Sequence, residues 1–411
     1  MSRLYRFLPP FAGDYSGVGS ALYELGGMLC IHDASGCTGN YVGFDEPRSY
    51  DSKQLVYCTG LRKNDAILGN EQVYIDKIVQ AAKDMKPAFI AVVGSPVPVI
   101  IGFDFNGFAK ELEHELGIPA FGFETGGMKG SYKDGVVMAV NKLLDYYILP
   151  KKDELPRNAD RSGRIVNIVG ATPLDLSEEN LNALKTLLSE YGYQLNSVLS
   201  MSNNMEEFQS FYKADVNLAI TQAGTLIAMD LEKKYGMPYL TGLPVGENGS
   251  KHYFKCLEQV FDTGKSMEIS QVFSVKDARL LKSDDKVKRH QTLTSSEKGK
   301  KNAVIMDDGV IASSMGVELA SQGYEVRVIS LFGKDAGMTG INVEYTENEE
   351  EILRIINDEN AELVIADPLL LQYREEKQNV RLIELPKYSI SSKLSHHKRW
   401  VYIGENWNEK I

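Results

Sequence analysis

Short apolar runs alternate with amphipathic segments along the chain, and this alternation limits the folds that the sequence can adopt. The runs of strand length are Phe89–Val93, Ile165–Val169, Val216–Ile220, Ala303–Met306, Val326–Leu331 and Leu363–Ala366. The segments between them carry apolar residues with the period of an α-helix, as in Leu181, Leu184 and Leu188. Strands that alternate with helices form parallel sheets covered by helices on both faces.

A glycine stands between a helical segment and the next apolar run at four places. These glycines are Gly117, Gly192, Gly236 and Gly323. Glycine adopts the left-handed conformation that ends a helix at little cost, because it has no Cβ. The repeated joints are typical of a doubly wound α/β fold.

Two polar stretches divide the chain of 411 residues. They cover residues 149–164 and 282–301 and have the composition of linkers. The three parts have about 150, 120 and 110 residues, and each is long enough for a small α/β unit. We therefore predict three Rossmann-like α/β domains with short parallel sheets flanked by helices. They are an N-terminal domain that carries the candidate cysteines (1–152), a second domain (153–290), and a third domain with a C-terminal tail (291–411).

Composition and charge disfavour several classes of function. The formal net charge of −11 argues against nucleic-acid binding, which needs basic surface along the phosphates. No apolar run of about 18 residues is present, so we predict no membrane span. The N-terminal residues lack the apolar core of a signal peptide. Four cysteines in a chain of this length do not make a disulfide scaffold, and we expect a cytoplasmic protein.

The sequence contains no complete nucleotide-binding motif. A GxxxxGK[ST] phosphate loop is absent, so we expect no ATP hydrolysis by this chain itself. Gly17-x-Gly19 comes nearest to a dinucleotide fingerprint, but it lacks the third glycine and a preceding strand. We therefore expect no nicotinamide or flavin site.

Two cysteines follow apolar runs, and they are the main candidates for chemistry. In LCIHDASGCTGNY, residues 29–41, a strand-like run leads to His32, a turn of small residues and Cys37. Cys58 follows another apolar run. Because α/β sheets bind ligands at the carboxyl ends of their strands, these thiols either pack as small buried residues or ligate a metal. A zinc ion or an iron–sulfur cluster usually takes four ligands, so a metal site would need ligands from another chain.

Several motifs together resemble the nitrogenase component 1 family. This family includes nitrogenase, its cofactor-assembly scaffold, the dark-operative protochlorophyllide and chlorophyllide reductases, and a nickel-tetrapyrrole reductase. HDASGC at 32–37 is similar to the family's His-Gly-Pro-x-Gly-Cys, whose cysteine binds an iron–sulfur cluster. Cys58, followed by Gly69 and Glu71, resembles the second cluster cysteine with its downstream Gly-Gly-Glu. Further similar segments are AVVGSPVPVIIGFDFNGF at 91–108, ETGGMKGSYKDG at 124–135, VNIVG at 166–170 and LEKKYGMPYLTGLPVG at 231–246.

The resemblance implies a 4Fe–4S cluster shared at a subunit interface. Cys37 and Cys58 would be its metal ligands, and His32, Gly36 and Pro96 would contribute to the cofactor site. His32 would be either a donor to the cluster or a capped turn residue. The implied partners are a separate ATP-dependent iron protein and either a second copy of this chain or a paralogous component 1 subunit.

Two positions depart from the family pattern. The third cluster cysteine is replaced by Pro96 or by its neighbour Ser95, and proline cannot ligate iron. In the second domain, Ile220 or Thr221 stands where nitrogenase has the cysteine that holds its iron–molybdenum cofactor. We therefore expect no FeMo-type cofactor. We expect instead an organic or tetrapyrrole-like substrate in the interdomain cleft, held by shape, apolar contact and a few hydrogen bonds.

The preferred function is that of a nitrogenase-like oxidoreductase subunit that relays electrons from the iron protein through the cluster to the substrate. One alternative is a non-catalytic scaffold or carrier for a metallocluster or cofactor precursor. Another is a half-subunit that completes the cluster of a partner chain, and the missing third cysteine favours this alternative. The sequence identifies no catalytic residue.

The remaining candidates have simpler interpretations. Cys30 lies inside an apolar run and Cys256 inside a helical segment, so we expect both in the core. His396-His397 lies in a basic segment and predicts exposed surface. Asp307-Asp308 follows a strand-like run, where an acid either orients a ligand or caps the next helix.

Overall fold

The computed structural model describes residues 7–9, 11–50, 54–128, 130–150, 163–272, 279–280, 301–333, 343–375, 380–395 and 400–411. Most of both predicted linkers lies outside these residues, as does His396-His397. Among the described helices, none is long and apolar enough to cross a bilayer.

The first sheet is built from residues 28–123. Its strands are β1 (Met28–His32), β2 (Leu55–Cys58), β3 (Ile90–Gly94) and β4 (Ala120–Phe123), all parallel in the order β2-β1-β3-β4. The helices of this region are α1 (Asp14–Leu22), α2 (Gly36–Asn40), α3 (Lys63–Leu68), α4 (Gln72–Met85), α5 (Pro96–Ile100), α6 (Phe105–Leu116) and α7 (Tyr132–Tyr147). Helices α1 and α7 pack against each other closely.

The second sheet is built from residues 165–268. Its strands are β5 (Ile165–Val169), β6 (Gln194–Leu199), β7 (Val216–Ala219), β8 (Tyr239–Thr241) and β9 (Met267–Glu268), parallel in the order β6-β5-β7-β8-β9. Its helices are α8 (Glu178–Glu190), α9 (Met205–Gln209), α10 (Gln222–Tyr235), α11 (Gly246–Thr263) and α12 (Ile269–Val272).

The third sheet is also parallel. Its strands are β10 (Arg279–Leu280), β11 (Lys301–Asp307), β12 (Tyr324–Ser330), β13 (Glu344–Tyr345), β14 (Leu363–Ala366) and β15 (Arg381–Glu384). The order is β10-β12-β11-β14-β15, and β13 pairs with the end of β12. Its helices are α13 (Gly309–Ser321), α14 (Glu349–Ile356), α15 (Pro368–Leu371) and α16 (Tyr388–Ser391).

The predicted α/β class with three parallel sheets flanked by helices is confirmed. Leu181, Leu184 and Leu188 are buried, as their helical spacing indicates. The four joint glycines, Gly117, Gly192, Gly236 and Gly323, have φ values of 68°, 79°, 67° and 91°. The exact domain boundaries stay a prediction, and β10 adds residues 279–280 of the predicted second domain to the third sheet.

The three sheets share one strand order around an inner strand. In each, one inner strand (β1, β5 or β11) has the next strand of the chain on one side (β2, β6 or β12) and a later strand on the other (β3, β7 or β14). Such a sheet has a switch point where neighbouring loops diverge, and ligands bind at the carboxyl ends of the strands there. The switch points lie between β1 and β3, between β5 and β7, and between β11 and β14. The loops at these three points are therefore candidate ligand sites.

Gly17 and Gly19 serve helix packing, which explains why Gly17-x-Gly19 is not a phosphate-binding turn. Both lie inside α1 and are buried. A Cβ on Gly17 would lie 1.8 Å from the backbone oxygen of Tyr132, and one on Gly19 would lie 2.6 Å from the Tyr41 ring. The pair therefore permits close approach of α1 to α7 and to Tyr41.

We expect Gly17→Ala to lower the free energy of unfolding by about 1–3 kcal/mol, because the added methyl group overlaps fixed backbone. Urea denaturation followed by circular dichroism measures the change. Gly39→Ala is the matched control, because a Cβ on Gly39 in α2 meets nothing within 4 Å. Equal stability of the two variants would contradict the packing role of Gly17.

Candidate functional sites

The two candidate thiols lie at the same edge of the first sheet. Cys58 is the last residue of β2 and pairs with Ile31 of β1. Cys37 lies at the start of α2, four residues after Asp33, and Pro96 begins α5 directly beyond β3. Because β1, β2 and β3 are adjacent and parallel, all three positions face the edge that contains the first switch point.

Asp33 holds the two thiol segments together. One of its carboxylate oxygens, Oδ2, accepts hydrogen bonds from the backbone N–H groups of Ser35 (3.0 Å) and Thr38 (3.1 Å). Its backbone oxygen accepts from the N–H of Leu61 (2.7 Å) and lies 3.6 Å from Cys58 Sγ. Asp33 therefore ties the turn before Cys37 to the end of β2.

The turn before Cys37 is strained and open. Ser35 has φ 130°, a conformation that residues with a Cβ adopt rarely and that is enriched at functional sites. A Cβ on Gly36 would meet no atom within 4 Å, so the backbone here borders free space. This space is where the sequence predicts a cofactor contact.

His32 lies behind this edge and not on its surface. Its ring is buried, stacks on Phe103 with centroids 4.2 Å apart, and shares a 2.9 Å hydrogen bond with Thr59 Oγ1. Burial lowers the pKa of His32 to about 4, so the ring is neutral near pH 7. Its backbone oxygen accepts a 3.0 Å hydrogen bond from the buried Ser95 hydroxyl. The structure therefore gives His32 and Ser95 roles in shaping the loops that carry Cys37 and Pro96.

The four cysteines differ in access to solvent. Cys37 and Cys58 are partly exposed, whereas Cys30 and Cys256 are fully buried in apolar clusters, as predicted. The pKa of the Cys37 thiol is raised to about 11, mainly by burial and to a smaller extent by the nearby Asp33 carboxylate. Within the described residues, no group of three or more histidine, cysteine or acidic side chains is arranged to hold a metal ion.

Exposed apolar side chains lie on the connections around the thiol edge. They occur on segments that follow each of the four strands of the first sheet: Phe44, Ile67, Leu68, Val97, Ile100, Ile101 and Met128. Leu68 is 78% exposed and Ile100 is 71% exposed. Exposed apolar residues mark an interaction surface where they form a contiguous patch.

A second candidate site is a cleft of about 410 Å³ between the three sheet regions. The volume lies within the range of about 300–1,000 Å³ that is usual for ligand pockets. Residues from all three regions line it: Tyr23, Glu24, Arg48, Asp175, Glu178, Met201, Ser202, Asp307, Lys387, Tyr388, Trp400 and Tyr402 among them. The lining is partly charged, whereas the sequence led us to expect a substrate held by shape, apolar contact and a few hydrogen bonds.

A buried ionic cluster lies beside this cleft and joins the three regions. The ammonium group of Lys387 is paired with Asp307 and lies 3.4 Å from Asp175 Oδ1. The hydroxyl of Tyr132, at the start of α7, donates a hydrogen bond to the same oxygen of Asp175. Tyr132, Asp175 and the Asp307–Lys387 pair come from the first, second and third sheet regions.

The two neighbouring acids at the end of β11, Asp307 and Asp308, have different roles. Asp308 caps α13 by accepting from Val310 N (2.9 Å) and Ile311 N (3.3 Å), and it also accepts from Gln222 N (3.0 Å) at the start of α10. Asp307 pairs with Lys387 and lines the cleft. Asp308 therefore realises the helix-capping interpretation, whereas the ligand-orienting interpretation stays a prediction for Asp307.

Burial strongly affects the acids of the cluster. It raises the pKa of Asp175 to about 7 in spite of the Lys387 charge, which acts to lower it. Burial also raises the pKa of Asp307 and of Asp308. The sequence does not predict the pairing of Asp175 with Lys387, because neither residue belongs to a motif and they are more than two hundred positions apart.

Ile220 and Thr221 lie at the second switch point but do not line the cleft. Ile220 is fully buried in an apolar cluster. Thr221 caps α10 by accepting from Gly224 N (3.1 Å), and its hydroxyl donates to the Gly170 backbone oxygen (2.9 Å). Among the described residues that line the cleft, Met201 is the one that carries sulfur, and it offers a thioether and not a thiol.

The protein has three regions, each built on a parallel sheet flanked by helices. Two free thiols lie at one edge of the first sheet, and a charged cleft lies between the three regions. The profile of the family described as "Nitrogenase component 1 type Oxidoreductase" matches residues 14–402. The chain belongs to this family.

Curated relatives include proteins of different roles. The chain is 25% identical over 250 residues to a nitrogenase molybdenum-iron protein alpha chain of Clostridium pasteurianum, which covers 60% of this chain and 43% of the relative. It is 25% identical to the nitrogenase iron-molybdenum cofactor biosynthesis protein NifE of Bradyrhizobium diazoefficiens (52% and 38% covered). It is 23% identical to a subunit of the light-independent protochlorophyllide reductase of Zygnema circumcarinatum (46% and 38% covered). Each match spans less than half of the relative's length.

Solved structures show the same fold. A chain from "Nitrogenase Cp1 at pH 6.5" superimposes with a TM-score of 0.67 at 14% sequence identity, covering 100% of this chain and 92% of the other. A chain from "Nitrogenase Cp1 at pH 5" gives a TM-score of 0.56 at 18% identity, covering 95% and 78%. At these identities the likeness concerns the fold alone.

Proposed function

We propose that this chain is an oxidoreductase subunit that relays electrons through a 4Fe–4S cluster, held by Cys37 and Cys58 at a subunit interface, to an organic or tetrapyrrole-like substrate in the central cleft. The observation that carries the proposal is the placement of two partly exposed thiols at one sheet edge in a member of this family. Buried Cys30 and Cys256 serve as internal contrasts.

The donor set fits such a cluster when two chains combine. Iron–sulfur clusters are held by thiolates and usually need four of them. One chain offers Cys37 and Cys58, and Pro96 stands at the position of a third ligand without a donor atom. A symmetric pair of chains would supply four thiolates from one isologous interface. A paralogous partner with its own cysteines would serve equally.

The surface around the thiols supports coverage by another chain. Side chains such as Ile67, Leu68 and Ile100 lie on the helices that follow β2 and β3 and are largely exposed in the single chain. Covering them removes apolar area from water and also shields an oxygen-sensitive cluster. Asp33 would keep the two thiol segments in register, and Ser35 and Gly36 would leave the backbone open toward the bound group.

Electrons would come from a separate ATP-dependent iron protein. The sequence of this chain has no phosphate loop, so nucleotide hydrolysis would be a property of that partner. The bound cluster would supply one-electron transfer, and this chain would provide its ligands, a dry interface and a substrate site. In the central cleft, the paired charges of Lys387 and Asp307 would give the substrate a fixed polar wall.

Anaerobic purification with supplied iron and sulfide tests the proposal. We expect about four irons and four sulfides per two chains, a paramagnetic signal after reduction, and sedimentation as a dimer. A paralogous partner would instead restore iron binding only when it is co-expressed. A monomer with a full cluster would contradict the shared site, and a chain that binds no iron under either condition would overturn the proposal.

One comparison supports the scaffold alternative. The sequence identity to NifE equals that to the nitrogenase alpha chain, over a shorter match, and NifE is named as a cofactor biosynthesis protein. A scaffold would bind its cluster and pass it to an apo-acceptor protein, without reducing an organic substrate when the iron protein and ATP are added. Substrate reduction under those conditions favours the oxidoreductase.

A further inference from the structure

A tyrosine hydroxyl lies beside the Cys37 thiol. Tyr15 is the second residue of α1, and Cys37 packs against the buried apolar cluster to which Tyr15 belongs. Burial and the Asp33 carboxylate raise the pKa of the Cys37 thiol, whereas a hydrogen bond from Tyr15 acts to lower it. A phenol O–H lowers the pKa of a thiol when it donates to the sulfur, because this contact favours the thiolate. The sulfur of Cys37 is therefore an acceptor for Tyr15.

The neighbours of Tyr15 fix the direction of its O–H group. Asn40, at the end of α2, donates from Nδ2 to the Tyr15 hydroxyl oxygen (3.1 Å) and to Asp45 Oδ2 (2.9 Å). Burial raises the pKa of Asp45 to about 6, so it is mainly ionised at pH 7. An ionised carboxylate only accepts hydrogen bonds, so Asp45 fixes which end of the Asn40 amide faces the tyrosine. The hydrogen of Tyr15 is therefore directed away from Asn40 and toward the sulfur.

The surrounding backbone restricts this arrangement. Asp45 is the last residue of a π-helical turn, Tyr41–Asp45, that follows α2 directly, and it also accepts from Ser16 Oγ (2.6 Å). Such turns are rare and occur frequently at functional sites. On the opposite side, a Cβ on Gly127 would lie 2.9 Å from Cε1 of Tyr15, so the ring packs directly on that backbone. The ring therefore has little room to turn its hydroxyl away from α2.

We propose that Tyr15 is a positioning residue that acts through Cys37: its hydroxyl, oriented by Asn40, donates a hydrogen bond to the Cys37 sulfur and raises the reduction potential of the bound 4Fe–4S cluster. Hydrogen bonds to the sulfur ligands are among the features that set the potential of such clusters. A donor favours the reduced state, because the sulfur carries more negative charge once the cluster has accepted an electron from the iron protein. Tyr15 keeps its proton, and no covalent bond changes.

This inference rests on the proposed function and adds a residue that lies outside both cysteine motifs. Tyr15→Phe tests it, because the variant keeps the ring and removes only the hydroxyl. After identical anaerobic reconstitution, we expect the iron content of wild type. We also expect the equilibrium constant for cluster reduction to fall about 3- to 10-fold, the usual size of one hydrogen bond, which is a shift of about 30–60 mV to more negative potential. A redox titration followed by electron paramagnetic resonance measures the potential.

Tyr41→Phe is the matched control. Tyr41 is fully buried in the adjoining turn, and its hydroxyl donates to Gln54 Oε1 (3.1 Å). The variant therefore loses a buried phenol hydroxyl and leaves the sulfur contact unchanged, so its potential should equal that of wild type. Pulsed paramagnetic resonance in D2O gives a second readout. One exchangeable deuteron coupling should be lost in Tyr15→Phe and retained in Tyr41→Phe.

Asn40→Ala covers the case in which Tyr15→Phe does not fold. It removes the group that orients the hydroxyl and keeps the hydroxyl itself, so we expect a smaller shift of the potential in the same direction.

The outcomes separate this inference from the cluster proposal. Full iron with an unchanged potential in Tyr15→Phe would overturn the role of Tyr15 and leave the cluster proposal standing. Equal shifts in Tyr15→Phe and Tyr41→Phe would assign the effect to general repacking and also overturn it. Iron loss in Tyr15→Phe alone would make Tyr15 a residue of cluster assembly, against the role in potential. A wild-type chain that binds no iron would overturn both proposals.

Discussion

Cys37→Ser and Cys58→Ser proteins are each expected to lose bound iron by more than about 100-fold relative to wild type after identical anaerobic reconstitution. Changes to groups that merely orient metal ligands cost about 10–100-fold in affinity, and the loss of a ligand costs more. In a symmetric dimer, each substitution removes two of four thiolates at once. Iron and acid-labile sulfide per chain measure the effect, and the reduced samples should lose their paramagnetic signal.

Cys256→Ser is the matched control for these variants. Cys256 is fully buried, and its sulfur lies 3.6 Å from His252 Nε2 and far along the chain from the thiol edge. Its serine variant should keep the iron content of wild type. Full iron in both Cys37→Ser and Cys58→Ser would show that these thiols are not the ligands, and iron loss in Cys256→Ser would point to general unfolding.

The sequence predicts best those features that are encoded in short contiguous segments. The apolar runs predicted the main strands, because a buried parallel strand needs a continuous apolar stretch. The turn from His32 to Cys37 and the run before Cys58 placed both thiols at strand ends, and parallel pairing then brings them to one edge. The resemblance to the family rested on the same segments, and the profile match confirms it.

The central cleft could not be predicted in the same way. Its polar wall depends on Asp175, Asp307 and Lys387, which the fold brings together from loops that are distant in sequence. A lone lysine in LPKYS has no periodic partner and no motif, and nothing in the sequence indicates that it is 1% exposed. Likewise, Gly17 and Gly19 take their meaning from Tyr132 and Tyr41, which only the folded chain places beside them.

Lys387→Met should lower the free energy of unfolding by about 3–5 kcal/mol near pH 8, because removal of one partner from a buried ion pair leaves the others uncompensated. Methionine has nearly the same length, so the main change is the loss of charge beside Asp307 and Asp175. Urea denaturation of the full chain measures the effect. Lys393→Met is the control, because Lys393 is exposed and should contribute less than about 1 kcal/mol.

The pH dependence separates this electrostatic cause from a simple packing defect. Burial raises the pKa of Asp175 from its ordinary value of 3.8 to about 7. Between these values the folded chain holds a proton that the unfolded chain releases, so the contribution of Asp175 to stability falls as pH rises and levels off above about pH 7. Lys387 lowers the pKa of Asp175, Asp307 and Asp308, so its removal extends that fall to higher pH. The loss in Lys387→Met should therefore be smaller near pH 5.5 than near pH 8, and adding Asp307→Asn should recover part of it. A loss that is the same at both pH values and is unchanged in the double variant would assign the effect of Lys387 to packing.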